Sequence, residues 1–266
     1  MNEKGKVEEQ YKASEPLKIR ANTHRLYSEN VINLDVEAQK LMNLNGTEAV
    51  LDVGCGPGAF LRFLKDQGHS GRLVGLDQSP GMIAEAQDDI IQGFVGDVQQ
   101  IPFGEGVFQW VSARHMLYHV LNIPIALGEM KRVLSSNGNV IITTNSQRSL
   151  SGIRELRNRM LLSFGYQETS LQESFIHTFC IENASEILGA AFSSVREVVY
   201  ENALIFHNSE PIAAYVGTMF NMMDIPNDEK LHAEMRMWLK VEAERIIQSH
   251  GGTWRDPKNT AVYICR

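Results

Sequence analysis

Asp52, Gly54, Gly56 and Gly58 close a short apolar run, Ala49–Val53, and lead straight into Ala59, Phe60 and Leu61. A glycine-rich turn between a strand and a helix bends sharply and lets a ligand approach where a Cβ would clash. The helix start adds unpaired N–H groups that a small molecule can use. Gly54, Gly56 and Ala59 satisfy G-x-G-x-x-G/A, and Asp77 lies about 20 residues on, where a ribose ligand belongs. On spacing alone the loop fits a dinucleotide, and an NAD(P)-dependent oxidoreductase is one reading. Charge points elsewhere. Asp52 sets a negative charge beside the helix start, which suits a cationic, phosphate-free ligand better than a pyrophosphate.

A second group of reactive residues is Arg114-His115-Met116-Leu117-Tyr118-His119. His115 and His119 have the H-x-x-x-H spacing of a zinc pair, but Met116 replaces the glutamate of H-E-x-x-H and no third ligand is identifiable, so no metal is expected. Either histidine could instead take a proton near neutral pH, or be structural, with His115 the better candidate for catalysis. Arg114 could hold a cofactor carboxylate, an acidic substrate group or a structural ion pair. No Asn-Pro-Pro-Tyr-like tetrad stands here, and no Pro-Cys nucleophile occurs.

The stretches VLDVGCGPG (residues 50–58) and LVGLDQSPGMI (residues 73–83) resemble the class I S-adenosylmethionine-dependent methyltransferases, in particular the small-molecule branch that contains ubiquinone-biosynthesis-like enzymes. The resemblance covers roughly residues 48 to 145. It implies that the glycine loop holds the methionine part of S-adenosylmethionine and that Asp77 binds both ribose hydroxyls. By the same likeness Asp97 reaches the adenine amino group, Val98 offers its backbone N–H, and Gln78 and Met82 flank the adenine ring. S-adenosylhomocysteine would be the product. Methyl transfer from a sulfonium needs an in-line nucleophile and no covalent protein intermediate, so the lack of a catalytic triad is no objection.

The elements that must position these residues alternate. Ala49–Val53, Leu73–Leu76, Phe94–Gly96, Phe108–Ala113 and Asn139–Thr144 read as strands, separated by helices beginning near Gly58, Pro80 and Ile123. That rhythm predicts a parallel α/β sheet with helices on both faces. The resemblance completes it as a Rossmann-like, seven-stranded, mainly parallel sheet whose last strand is antiparallel. Helices are expected within 15–42, at 150–164, 181–192, 210–223 and 228–250, one extended or bent strand at 195–206, and a last strand at 260–265. Residues 1–45 read as an N-terminal helical cap, with Arg20, His24 and Tyr27 closing over the cofactor. Residues 46–266 form the methyltransferase domain, with helical lid insertions at 146–180 and 209–258. Met219–Met223, Met235, Met237 and Trp238 offer an apolar lid wall, although core packing or a dimer contact is the favoured reading for any single one of them.

Composition narrows the partners. The 266 residues hold 43% hydrophobic and 21% charged side chains, those of an ordinary globular protein. A net charge of -7 disfavours a broad nucleic-acid surface and favours a small-molecule substrate. The first 18 residues contain no apolar leader, no segment has the apolar length of a membrane span, and the three scattered cysteines suit reduced thiols; the expected address is the cytoplasm, as monomer or homodimer. A noncatalytic S-adenosylmethionine-binding protein is the third reading, beside the transferase and the oxidoreductase.

Overall fold

Two helices open the computed structural model, which describes residues 15–166, 175–223 and 225–266. They are α1 (Glu15–Tyr27) and α2 (Leu34–Met42). Asn33 separates them: its side-chain oxygen accepts the N–H groups of Asp35 and Val36 and so starts α2 afresh.

Next come β1 (Val50–Val53), α3 (Ala59–Asp66), β2 (Leu73–Asp77), α4 (Pro80–Ala86), β3 (Ile91–Val95), β4 (Phe108–Arg114), α5 (Ile123–Val133) and β5 (Leu134–Asn145). After α6 (Ser151–Ser163) and α7 (Ile181–Ala191) follow β6 (Val195–Tyr200), β7 (Ala203–Phe206), α8 (Glu210–Gly217), α9 (Glu229–Ser249), β8 (Trp254–Pro257) and β9 (Thr260–Cys265). The chain divides into two units. One contains Ile32–Ser146, Phe175–Tyr200 and Thr260–Arg266; the other contains the described parts of Met1–Val31, Gln147–Ser174 and Glu201–Asn259. The division falls after Val31, so α2, within the expected N-terminal cap, belongs to the first unit.

In the first unit seven strands form one sheet in the order β3-β2-β1-β4-β5-β9-β6. The pairs from β3 to β5 are parallel, and β9 runs antiparallel to both of its neighbours. This is the Rossmann-like, mainly parallel sheet expected from the sequence. Strand β1 is buried at all four positions because helices cover both faces. Leu51 and Val53 pack with Ala126, Leu127 and Met130 of α5 and Leu188 of α7. Val50, one pleat away, packs on the opposite face with Ala38 and Met42 of α2 and Phe60, Leu61 and Leu64 of α3. Asp52 shares the parity of Val50, so the strand period sends this carboxylate to the α2 and α3 side.

The second unit builds its own core from α6, α8 and α9. Met235, Leu239, Ala243 and Ile247 repeat every four residues along α9 and are fully buried with Leu156, Met160, Val216 and Trp254. Met237 is exposed. The side chains of Asn221, Met222 and Phe175 lie outside the described residues. The expected single strand at 195–206 is instead two strands in different sheets. Asn202 causes the break: its buried side chain accepts the N–H groups of Asn30 and Ala203 and donates to the Asn30 carbonyl, at 2.9–3.0 Å. Strand β8, the antiparallel partner of β7, was hidden in Trp-Arg-Asp-Pro, which has neither alternation nor β-branched residues. The helix expected at 210–223 stops at Gly217, and a 3-10 turn spans Phe220–Met223. Among the described residues no helix is long and apolar enough to cross a membrane.

Helix α6 has no cap of its own, because Leu150 stands before it with φ 55°. Asp256 of β8 supplies one, its two oxygens accepting the N–H groups of Gly152 and Ile153 at 3.0 and 2.8 Å while 1% exposed. Replacing Asp256 with Ala strands two buried donors and is expected to destabilise the second unit by about 2 kcal/mol, read as a lowered melting temperature.

Candidate cofactor site

Strand β1 delivers the chain into a turn in which Gly54, Gly56 and Gly58 have φ of 64°, 53° and 78°. These left-handed angles are why three glycines stand here. The first and second differ in what surrounds them. A Cβ on Gly54 would lie 2.8 Å from the Cβ of Met116, whereas one on Gly56 would meet nothing within 4 Å. Gly54 therefore lets the protein pack against the loop, and Gly56 keeps the other side of the loop clear.

Asp77, at the end of β2, ties the turn in place. One carboxylate oxygen accepts the Gly56 N–H and the other the Ser79 N–H, each at 2.9 Å. Each oxygen keeps a lone pair, so the group can still accept from two hydroxyls. Gln78, beside it, is half-buried, and Met82 of α4 is 1% exposed and fully packed. Asp97 caps a 3-10 turn, Val98–Gln100, accepting the Gln99 N–H at 2.9 Å and the Gln99 side-chain amide at 3.2 Å on both oxygens. The Val98 side chain is buried.

Beneath the loop lies Asp52, 4% exposed, with one carboxylate oxygen that has no hydrogen-bond partner among the described residues. Burial pushes its carboxyl up to about 6, opposed by the Arg114 charge and the Ser112 hydroxyl. Ser112 is its cross-strand neighbour on β4. Arg114, two residues further along the same face, forms an ion pair with Asp35 of α2 and lies over the Phe60 ring at 4.3 Å. Of the three roles open to Arg114 in the sequence, the ion pair is the one present, while its buried Nε has no partner among the described residues.

Beyond β4 the backbone turns at His115, which has φ 52° and donates its N–H to the Thr143 carbonyl at 2.9 Å. Leu117–His119 is a 3-10 turn, so His115 and His119 are not successive positions on one α-helix and the zinc-like spacing has no helical face to act on. The His119 ring stands edge-on to Tyr118, with centroids 4.6 Å apart. Tyr27 belongs to the second unit, where its ring packs on Phe206 at 5.4 Å. Sequence reasoning missed Asp35, Phe60, Met116 and Gln99. Each acts through a partner distant along the chain or in an unforeseen turn, and none has a motif of its own.

Residues 51–142 match the family model described as a methyltransferase domain. The fold and that segment make the first unit similar to a class I S-adenosylmethionine-dependent methyltransferase domain. The chain is 30% identical over 127 residues to the demethylmenaquinone methyltransferase of Oceanobacillus iheyensis, an alignment covering 45% of this chain and 53% of that protein. The chain spans about half the length of several curated relatives it matches. Among solved structures, one from Bacillus halodurans has a TM-score of 0.56 at 16% identity, covering 87% of this chain and 97% of that one. The [4+2]-cyclase SpnF has a TM-score of 0.58 at 17% identity, covering 98% and 95%. These two likenesses concern fold alone, and a fold does not fix a reaction.

S-adenosylmethionine carries a sulfonium and an ammonium and no phosphate. The residues present fit it: an unpartnered buried carboxylate oxygen on Asp52, a clear side at Gly56, and spare acceptor capacity on Asp77.

Proposed function

We propose that this protein transfers the methyl group of S-adenosylmethionine to an O, N or C nucleophile of a small, partly apolar metabolite in the cytoplasm. The observation that carries the reading is the loop itself: three left-handed glycines fastened to Asp77, above a buried acid. In this reading the backbone at Gly54 and Gly56 holds the methionine part, Asp77 the ribose hydroxyls, and Asp97 with the Val98 N–H the adenine. Gln78 and Met82 shape the adenine slot. Arg114 holds α2 and the end of β4 through Asp35 and directs its remaining Nε–H toward the cofactor carboxylate. The demethylmenaquinone relative lends weight to quinone-like acceptors.

The bound cofactor supplies an electrophilic methyl group; the chain supplies orientation, exclusion of water and a proton acceptor. We assign that acceptor to His115, with His119 as the alternative, because the turn after β4 follows the strand end at which ligands bind in open α/β sheets. The glycine loop, Asp77 and Asp97 hold the cofactor so that its methyl group is presented for in-line displacement by the nucleophile.

Calorimetry with S-adenosylmethionine and with NADH separates the transferase from an oxidoreductase, and preferential NADH binding overturns the reading. Formation of labelled S-adenosylhomocysteine with a quinol or phenol panel separates an enzyme from a noncatalytic binder. For His115 the useful variant is His115→Asn, since asparagine tolerates positive φ. It should lower kcat about 100-fold and flatten the rise in rate across about pH 5–8, with KM for the cofactor little changed. An unchanged pH profile removes His115 from the proton path.

A further inference from the structure

We propose that the second unit carries a binding site for a small carboxylate, formed by Arg157 with Arg154 on α6. Neither guanidinium has a carboxylate within ion-pair distance among the described residues. Both are half-buried and one helical turn apart, at the edge of the face of α6 that sends Ile153, Met160 and Leu161 into the core.

Their hydrogen bonds show which donors remain. Arg154 donates Nη1 to the Ser149 carbonyl and Nη2 to the Gln147 carbonyl, which fixes its plane. Arg157 donates Nε and Nη2 to the single oxygen of Asn158 at 3.1 and 2.8 Å. That uses the side-on fork of the guanidinium. The end-on fork, one N–H from each terminal nitrogen, is unspent, and its parallel donors match the two oxygens of a carboxylate.

The surroundings favour a ligand over a structural role. Burial, and then the charge of Arg154, hold the Arg157 guanidinium below its ordinary range. Among the described residues the acid beside Arg154 is Asp256, which is already committed to two backbone N–H groups. Tyr215 lies beside Arg154, and His24 stands edge-on to Tyr215 with centroids 5.7 Å apart. Among the described residues two desolvated cations stand beside one engaged acid, an excess positive charge that a bound anion would neutralise. The inference is independent of methyl transfer.

The test is thermal melting and calorimetry of the full chain with benzoate, hexanoate and inorganic phosphate at matched ionic strength, for the wild type, Arg157→Met and Arg157→Lys. The carboxylates should raise the wild-type melting temperature by mass action. Arg157→Met should lose at least about 10-fold in carboxylate affinity, and Arg157→Lys, which keeps charge and loses the fork, should fall between. Without ligand, Arg157→Met should melt at or above the wild type, because it removes an uncompensated cation. A lower melting temperature for unliganded Arg157→Met means a structural arginine and overturns the proposal. So does an equal carboxylate response in wild type and Arg157→Met, a response to phosphate without one to either carboxylate, or no response to any of the three.

Discussion

Asp52→Asn should make the protein more stable at pH 7.5 and bind S-adenosylmethionine at least about 10-fold more weakly. The carboxyl is almost wholly buried and raised from 3.8 to about 6, so the folded state holds its proton more tightly than the unfolded state. Below about pH 3.8 both states are protonated and the group costs nothing. Between there and about pH 6 the unfolded chain ionises first and stability falls; above that the full cost, about 3 kcal/mol, remains. An asparagine escapes it, and its side chain can still hydrogen-bond the Ser112 hydroxyl beside it. Arg114 keeps Asp35 as its counter-charge. The melting temperatures of the two proteins should therefore converge near pH 4 and separate at neutral pH. In the wild type, affinity for the cationic cofactor should rise as pH passes about 6. A variant that melts lower than wild type at pH 7.5, or binds the cofactor as well, would falsify the role given to this acid.

Strands β1 and β2 were legible because they are apolar runs ending in glycine or acid, and burial on both faces permits little else. Asp52, Asp77 and the three glycines were legible for the same reason: strand ends fix where the chain turns, and positive φ selects glycine. Legibility failed where a long-range partner decides the structure. Asn202 breaks an otherwise plausible strand by bonding to Asn30, and β8 exists because β7 needs an edge partner. Arg114 had three roles open in the sequence, since nothing near it in the chain marks Asp35 as its mate. The H-x-x-x-H spacing of His115 and His119 suggests one helical turn, whereas His115 sits in a left-handed turn that no local residue marks. Arg154 and Arg157 carry no motif in the sequence; that they stand without an ion pair among the described residues appears only in the fold.

The glycine loop allows a sharper test, because two of its residues should fail in opposite ways. Gly54→Ala and Gly56→Ala place the same methyl group on backbones with similar φ, 64° and 53°, so the conformational cost is comparable, about 1–2 kcal/mol. At Gly54 the new carbon would stand 2.8 Å from the Met116 Cβ and 2.9 Å from its Cγ. Met116 must move, and with it the turn that carries His115. Gly54→Ala should therefore lose about 2–4 kcal/mol in total and melt well below the wild type. At Gly56 the methyl touches no protein atom within 4 Å, and the N–H that Asp77 accepts is retained. Gly56→Ala should cost only the conformational term, yet it fills the side of the loop left clear for the cofactor. Its affinity for S-adenosylmethionine should fall about 10- to 100-fold, measured by calorimetry at a temperature where the variant is fully folded. Should Gly56→Ala bind the cofactor as the wild type does, the ligand does not lie against this backbone, and the proposed assignments of Asp77 and Asp97 fall with it.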